Sequence, residues 1–314
     1  MFFPKPDGIN TYHTRPYPAI DVTRPELSKA GKIVLVTGGG SGLGFAFAEH
    51  FAKAGCTTIA ITGRRQHVLD DAKQKIESVY TNTKVLTLQG DVTNRDAVQS
   101  AFEQTIDVFG PIDILINNAG YLPAYRCIGE EGALDDWWAG FEVNVKGSHN
   151  VLSAFLKTST QAATIINLTS AAVNAIVPGQ SAYTASKIAA TRMFEVFQSE
   201  NPNHTVVNIA PGVVATDMHQ KTIAAFEERG WPQLPLDDSE FAGTVSNKPS
   251  TEKTAVRLPA SYLVWASSPE ATFLKGKFVW VHWDVEELKV LVEGKIENPT
   301  FLTLEVNGLP NLTM

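Results

Sequence analysis

Tyr183 and Lys187 stand four residues apart in Tyr183-Thr184-Ala185-Ser186-Lys187. On a helix that spacing puts a phenol and an ammonium on one face. A phenol with a pKa of about 10 is a poor proton donor and acceptor near neutrality, and an adjacent cation favours the phenolate and moves the group towards the working range. The spacing is common by chance, so taken alone it defines no site. A second stretch carries a different chemistry: Thr37-Gly38-Gly39-Gly40-Ser41-Gly42-Leu43-Gly44 follows an apolar run and opens an amphipathic one with Phe47, Phe51 and Ala54 on one side. Glycines let the backbone turn tightly and approach a pyrophosphate, whose charge is favoured by the unpaired amides and dipole of a helix start. The next apolar run ends at Thr62-Gly63-Arg64-Arg65, where a dinucleotide-binding unit reads the adenosine ribose. An acidic residue there would accept from a free 2′-hydroxyl, whereas Arg64 can pair with a 2′-phosphate, so Gly63 and Arg64 favour NADP(H) over NAD(H). The other reading, a solvated arginine pair opening a helix, runs against the helix dipole. Ser41 could add a hydrogen bond to that phosphate. Asp91, before Val92, stands where a carboxylate could accept from the adenine amino group, or where it could simply cap a turn.

These residues need a scaffold. Short apolar runs at 33–36, 58–61, 85–88, 112–116, 164–166, 206–209 and 278–281 read as buried strands, with helical candidates between them at 42–54, 66–79, 94–109, 135–156, 181–199 and 253–267. Alternation of this kind means an α/β protein with a three-layer, doubly wound parallel sheet, a Rossmann fold. Residues 217–252 break the rhythm with Trp231-Pro232, Pro235, Gly243 and Pro249 around one short helical candidate at 222–229, and are expected to form a substrate lid. Residues 1–30, with five prolines and no period, are expected to be an irregular arm. The domain proper is expected over 31–284, followed by a tail over 285–314 with a helix at 285–292 and an apolar segment at 301–304.

Composition narrows the function classes. Hydrophobic residues at 44% and charged residues at 19% give ample apolar surface for a core, and the 314 residues fit one α/β domain with additions. A net charge of −7 argues against nucleic acid or anionic lipid as a partner and leaves a small molecule. The uncharged run from Thr158 to Ser186 contains Asn167, Asn174, Pro178, Gly179 and Gln180, so no block of roughly 18 to 20 apolar residues survives in it and no membrane span is expected. The ends show no targeting signal, and Cys56 and Cys127 are too few for a disulfide framework or thiolate metal site. A cytoplasmic protein without a metal is expected.

With the glycine loop and Tyr-x-x-x-Lys on one chain, residues 31–284 resemble the short-chain dehydrogenase/reductase family. Its Asn-Asn-Ala-Gly motif appears as Asn117-Asn118-Ala119-Gly120, its asparagine as Asn144, its serine as Ser170 and its Pro-Gly segment as Pro211-Gly212-Val213-Val214-Ala215-Thr216. The resemblance implies a catalytic set of Asn144, Ser170, Tyr183 and Lys187. Tyr183 would protonate a ketone as hydride arrives from NADPH, or deprotonate an alcohol in reverse, and Ser170 would hydrogen-bond the same oxygen. Lys187 would bind the nicotinamide ribose and lower the Tyr183 pKa, with Asn144 holding a relay water. The cofactor would be contacted by Gly38, Gly40, Ser41, Gly42, Leu43, Gly44, Arg64, Asp91, Asn118, Ala119, Gly120, Tyr183, Lys187, Pro211, Gly212, Val214 and Thr216, while Asn117 and Gly120 would shape the ribose wall. Tyr121, Trp137, Met218, His219, Phe226 and Trp231 are pocket or lid candidates, with His219 outside the catalytic set. A homo-oligomer, dimer or tetramer, is expected. After Gly276, where many members read Val-Asp-Gly-Gly, this chain reads Val281-His282-Trp283-Asp284 and continues, which sets the usual tetramer interface in question. The arm, that turn and the tail resemble fungal members associated with secondary metabolism. Two other readings are a non-redox enzyme on this scaffold, catalysing cyclisation, dehydration or isomerisation, and an NADP(H)-sensing regulator without turnover.

Overall fold

The computed structural model describes residues 5–130, 134–214, 216–230, 256–295 and 297–305. The apolar runs become seven parallel strands: β1 (Ile33–Thr37), β2 (Thr58–Gly63), β3 (Lys84–Gln89), β4 (Ile112–Asn117), β5 (Ser159–Leu168), β6 (Thr205–Ala210) and β7 (Lys277–Trp280). They stand in the order β3-β2-β1-β4-β5-β6-β7. The order reverses between β1 and β4, which opens a crevice at the carboxyl ends of the strands. Both faces of this sheet are covered, which is why its strands read as continuous apolar runs rather than as alternation.

Val34, Val36, Ile59, Ile61, Ile116 and Ile209 point to one face, where α1 (Gly42–Lys53), α2 (Gln66–Val79) and α8 (Arg257–Ala266) bury Phe47, Phe51, Ile76, Leu263 and Trp265. Leu35, Leu115, Ile165 and Val206 point to the other, against Phe102 of α3 (Arg95–Phe109), Phe155 of α5 (Ser148–Thr158) and Phe194 and Phe197 of α6 (Ser181–Glu200). The expected start of α3 is realised by Asn94, whose side chain accepts from the amides of Asp96 at 3.0 Å and Ala97 at 3.1 Å.

Three expectations are refined. The helix read over 135–156 is interrupted: α4 (Leu134–Phe141) passes into a π-helical turn, Glu142–Gly147, before α5. Gly147 lies where a Cβ would come within 2.8 Å of Val92, so the chain here is pressed onto the loop after β3. Residues 5–30 of the expected arm bury Ile9, Ile20, Val22 and Leu27 in the core beside α8 and α9 (Val285–Glu293), and carry short 3-10 turns at Pro18–Ile20 and Pro25–Leu27. The short helix expected over 222–229 is the longer α7 (Asp217–Glu228), capped by Thr216. Past α9 the tail runs beside β7, where the Phe278 amide donates to the Leu302 carbonyl at 2.6 Å and covers the sheet edge. Residues 231–252 of the expected lid, and Trp231 with them, lie outside the described residues.

Candidate active site

The glycine loop joins β1 to α1, and its geometry follows from what surrounds it. Gly38 and Gly42 have φ of +67° and +54°, conformations that side-chain-bearing residues avoid. A Cβ on Gly44 would fall 2.1 Å from the Gly38 carbonyl, and one on Gly39 would fall 2.7 Å from Ile61, so the turn is closed against its own helix and β2. Asn118 and Ala119 stitch the end of β4 to this loop. Both amides donate to Thr37 Oγ1 at 3.0 Å, and Asn118 Nδ2 donates to the Thr37 carbonyl at 2.8 Å. Ser41, the residue before α1, makes no capping bond with its side chain, so it takes none of the first-turn amides of α1. Leu43 packs on the core behind the loop.

Around the same crevice, Arg64 is exposed at the end of β2, and Asp91 uses Oδ1 to accept from the amide and hydroxyl of Thr93, both at 2.9 Å. Asp91 and Val92 line a small cleft with Thr37, Thr62 and Gly90. At the far side Pro211 and Gly212, with φ +85°, lead from β6 through buried Val214 to Thr216. A Cβ on Gly42 would meet Thr216 Cγ2 at 3.7 Å, so the start of α7 stands directly against the glycine loop. This crevice fits a dinucleotide: a helix start with open amides suits a pyrophosphate, with the exposed Arg64 and with Asp91 beside it.

The remaining residues converge beside it. Tyr183 and Lys187 lie one turn apart near the start of α6, and Ser170 begins the turn after β5. Burial pushes the pKa of the Tyr183 phenol up, and the neighbouring Ser170 hydroxyl pulls it down by less. Ser170 Oγ also accepts from the Ala172 amide at 3.1 Å, which fixes its rotamer. Lys187 is 8% exposed, and burial alone lowers its pKa to about 8. Its ammonium donates to the Leu168 carbonyl at 2.8 Å and lies 5.9 Å from the Tyr183 ring centre. In the protein alone, then, the Tyr183 phenol stands above its ordinary pKa, opposite to the direction expected from Lys187; desolvation outweighs the assistance it receives.

Asn144 sits in the π-helical turn, and both protons of its side-chain amide are engaged in a way the sequence did not show. Oδ1 accepts from the Tyr121 amide at 2.8 Å, and Nδ2 donates to the Tyr121 carbonyl and Ser186 Oγ, both at 2.9 Å. It thereby clamps the chain immediately after Gly120, and Gly120 itself is the meeting point: a Cβ there would lie 3.4 Å from both Asn144 Oδ1 and Lys187 Nζ. Asn117 faces inward and donates to Ser148 Oγ at 3.0 Å and Asn167 Oδ1 at 2.9 Å, while Ser148 Oγ donates to the Asn144 carbonyl at 2.8 Å.

Met218 and Phe226 of α7 pack in one apolar cluster with Tyr183, Leu122, Tyr125 and Val177, and Trp137 Nε1 donates to Ser181 Oγ at 3.0 Å. Tyr121 donates to Asp136 Oδ1 at 2.6 Å under the Lys221 ammonium, which stands 5.3 Å from its ring centre. His219 is buried on α7. Tyr125, Gln180, Thr222, Asp136 and Lys221 were not singled out from the sequence. None belongs to a spaced motif, and only the fold brings them to the site; Ser186, inside Tyr-x-x-x-Lys, was the one that the motif already contained.

A parallel sheet with a glycine loop at its switch point and a half-buried tyrosine beside a buried lysine is the frame of a nicotinamide-dependent oxidoreductase. The short chain dehydrogenase family model matches residues 32–226. The chain is 30% identical to the short chain dehydrogenase/reductase nsrO of Aspergillus novofumigatus, over 97% of this chain and 98% of that one. It is 31% identical to the short chain dehydrogenase pigC of Monascus ruber, over 90% and 88%. Among solved structures, a short-chain dehydrogenase/reductase from Serratia marcescens superposes with a TM-score of 0.65 at 24% identity, covering 80% of this chain and 96% of that one, a likeness of fold. The chain belongs to the short-chain dehydrogenase/reductase family, and is an NAD(P)-dependent oxidoreductase. Among the described residues no helix is long and apolar enough to cross a membrane.

Proposed function

We propose that the protein uses NADPH to reduce a ketone on a small metabolite to a secondary alcohol, or carries out the reverse oxidation. The observation that carries this reading is the convergence of Lys187 Nζ and Asn144 Oδ1 on Gly120, with the Tyr183 ring centre 5.9 Å from that ammonium. The nicotinamide, when bound, supplies or accepts the hydride. Tyr183 Oη supplies the proton to the carbonyl oxygen, and Ser170 Oγ donates to the same oxygen and steadies its developing charge. Lys187 would hold the nicotinamide ribose, and its ammonium, 5.9 Å from the Tyr183 ring centre, would favour the ionised form of the phenol. Both Nδ2 protons of Asn144 are engaged, so its part is to fix the Tyr121 backbone beside the ribose, and a relay water would be held through its oxygen atoms. Asp91 Oδ2 is the oxygen for the adenine amino group. We place the catalytic unit at 31–284, with 217–252 as its lid, in a cytoplasmic homo-oligomer of secondary metabolism.

Arg64 supports the choice of NADPH, because it is exposed at the ribose end with Gly63, not an acid, before it. Titration of intrinsic fluorescence with each nucleotide tests this. Wild type should bind NADPH at least tenfold more tightly than NADH, and Arg64→Ala should erase most of that difference, since a guanidinium–phosphate pair contributes about 1.5 to 3 kcal/mol. Equal binding of the two nucleotides by wild type would sink the assignment. For the reaction, Tyr183→Phe should lower ketone reduction, followed at about 340 nm, by at least a hundredfold without weakening NADPH. Full activity in that variant would refute the proton-donor role, and substrate turnover without a change in nicotinamide absorbance would point to the non-redox reading.

A further inference from the structure

A second phenol is buried beside Tyr183. Tyr125, 6% exposed, lies on the chain after β4, and its ring joins the apolar cluster that contains Tyr183, with Phe226 edge-on at 5.5 Å and 88°. Its hydroxyl donates to Thr222 Oγ1 on α7 at 3.1 Å and accepts from Gln180 Nε2, on the residue just before α6. Three separately folded segments therefore meet on one oxygen: the chain after Gly120, the approach to the catalytic helix and the helix over the site. The backbone is fitted to the same joint. Gly179, φ +78°, would place a Cβ 3.3 Å from the Arg126 nitrogen, and the Arg126 amide donates to the Gly179 carbonyl at 3.0 Å. At the other end of α7, Arg229 reaches back to the Tyr125 carbonyl at 2.7 Å and forms a forked pair with Glu130, at 3.3 and 3.2 Å.

We propose that Tyr125 is a positioning residue, whose phenol registers α7 against the start of the catalytic helix and holds α7 over Tyr183. The inference rests on reading Tyr183 as the proton donor. A ring that only filled space would not need its oxygen, and here the oxygen is matched on both sides, one partner donating and the other accepting. Phe226 and Met218 lie on the same face of α7 as Thr222, so the bond to Thr222 sets the register of the apolar cover of the site together with it.

Amide hydrogen exchange of the full chain, read in peptides over 217–228, tests the joint without any substrate. Tyr125→Phe keeps the ring and removes the oxygen; Thr222→Val keeps the shape and removes the hydroxyl. Each should speed exchange in α7 roughly five- to tenfold, the loss expected for one net hydrogen bond. The double variant should be no faster than Tyr125→Phe, because Thr222→Val removes a bond that Tyr125→Phe has already removed. Thr222→Ser should restore the wild-type rate, and NADPH affinity should stay unchanged in all four. Unchanged exchange in Tyr125→Phe, additive effects in the double variant, or equal acceleration across the whole sheet would overturn the proposal. Retained reduction in Tyr183→Phe would instead defeat the proton-donor reading and leave the exchange result standing.

Discussion

Lys187 shows how a single residue is set for two states. With no charge beside it to offset burial, its ammonium leans on one carbonyl, and its pKa falls to about 8. The unfolded chain keeps this lysine near its ordinary value of about 10.4. Between those two pH values the unfolded chain holds the extra proton, so the folded state gains stability as pH rises through that window, and below it the full cost of burying the cation is present. Lys187→Met should therefore stabilise the protein more at about pH 7 than at about pH 9.5, read from urea midpoints at the two pH values. A pH-independent difference would show that the charge is better solvated than its burial indicates. Tyr183 and Lys187 were legible because chemistry fixes their spacing. Asn144 was legible only as a position; its partners, the Tyr121 backbone and Ser186, are 23 and 42 residues away, and no local pattern encodes such a clamp.

At the scale of elements, strands and most helices could be read from apolar periodicity, since a two-sided sheet and one-sided helices leave clear signatures. The π-helical turn could not: Gly147 at its end lies where a Cβ would come within 2.8 Å of Val92, a contact between elements that leaves no local pattern. The glycine loop makes a sharper case, because its glycines differ in reason. Gly42 needs a positive φ but has room, with Thr216 at 3.7 Å from a Cβ, whereas Gly44 has no room at all. Gly42→Ala should cost about 1 kcal/mol of backbone strain. Gly44→Ala must move the Gly38 peptide or the start of α1, and should cost about 1 to 3 kcal/mol while weakening NADPH at least tenfold. Thermal melts and fluorescence titration of both variants check the contrast; equal losses would mean that the loop yields where the contacts say that it cannot.

For the whole molecule, residues 5–30 before β1 prove to be part of the core. Their proline-rich sequence has no period because each residue answers a different neighbour. Tyr12 bridges to Trp283, the His13 amide donates to the His282 carbonyl at 2.7 Å, and His13 Nε2 meets Asp284 Oδ2 at 2.8 Å. Glu287 accepts from the amides of Asn10 at 2.5 Å and Thr11 at 3.0 Å, and Arg24 pairs with Glu270 at 2.7 Å. Ile9, Ile20, Val22 and Leu27 are all at most 3% exposed. At about 1.5 to 3 kcal/mol per buried aliphatic side chain they contribute on the order of 10 kcal/mol as an upper estimate, comparable with the total stability of an ordinary domain at about 5 to 15 kcal/mol. A chain begun at Lys32, where the family match begins, should thus fail to fold, although it keeps every proposed cofactor and catalytic residue. The polar part of the same clasp predicts a milder, reversible effect of acid. The Thr11 amide, with that of Asn10, holds the Glu287 carboxyl below its ordinary range; burial pushes Asp284 up, but the His13 bond and the amides of α9 outweigh it, and its pKa is lowered. Carboxylates lowered on folding add stability above their ordinary pKa and lose it as pH falls through the folded value. Acidification below about pH 4 should consequently release residues 5–17 from α9 ahead of the sheet, seen as faster amide exchange at Thr11 and His13 than in β1. Glu287→Gln should show that faster exchange already at neutral pH and respond less to acid; if it exchanges as slowly as wild type, the arm is held by its apolar side chains alone.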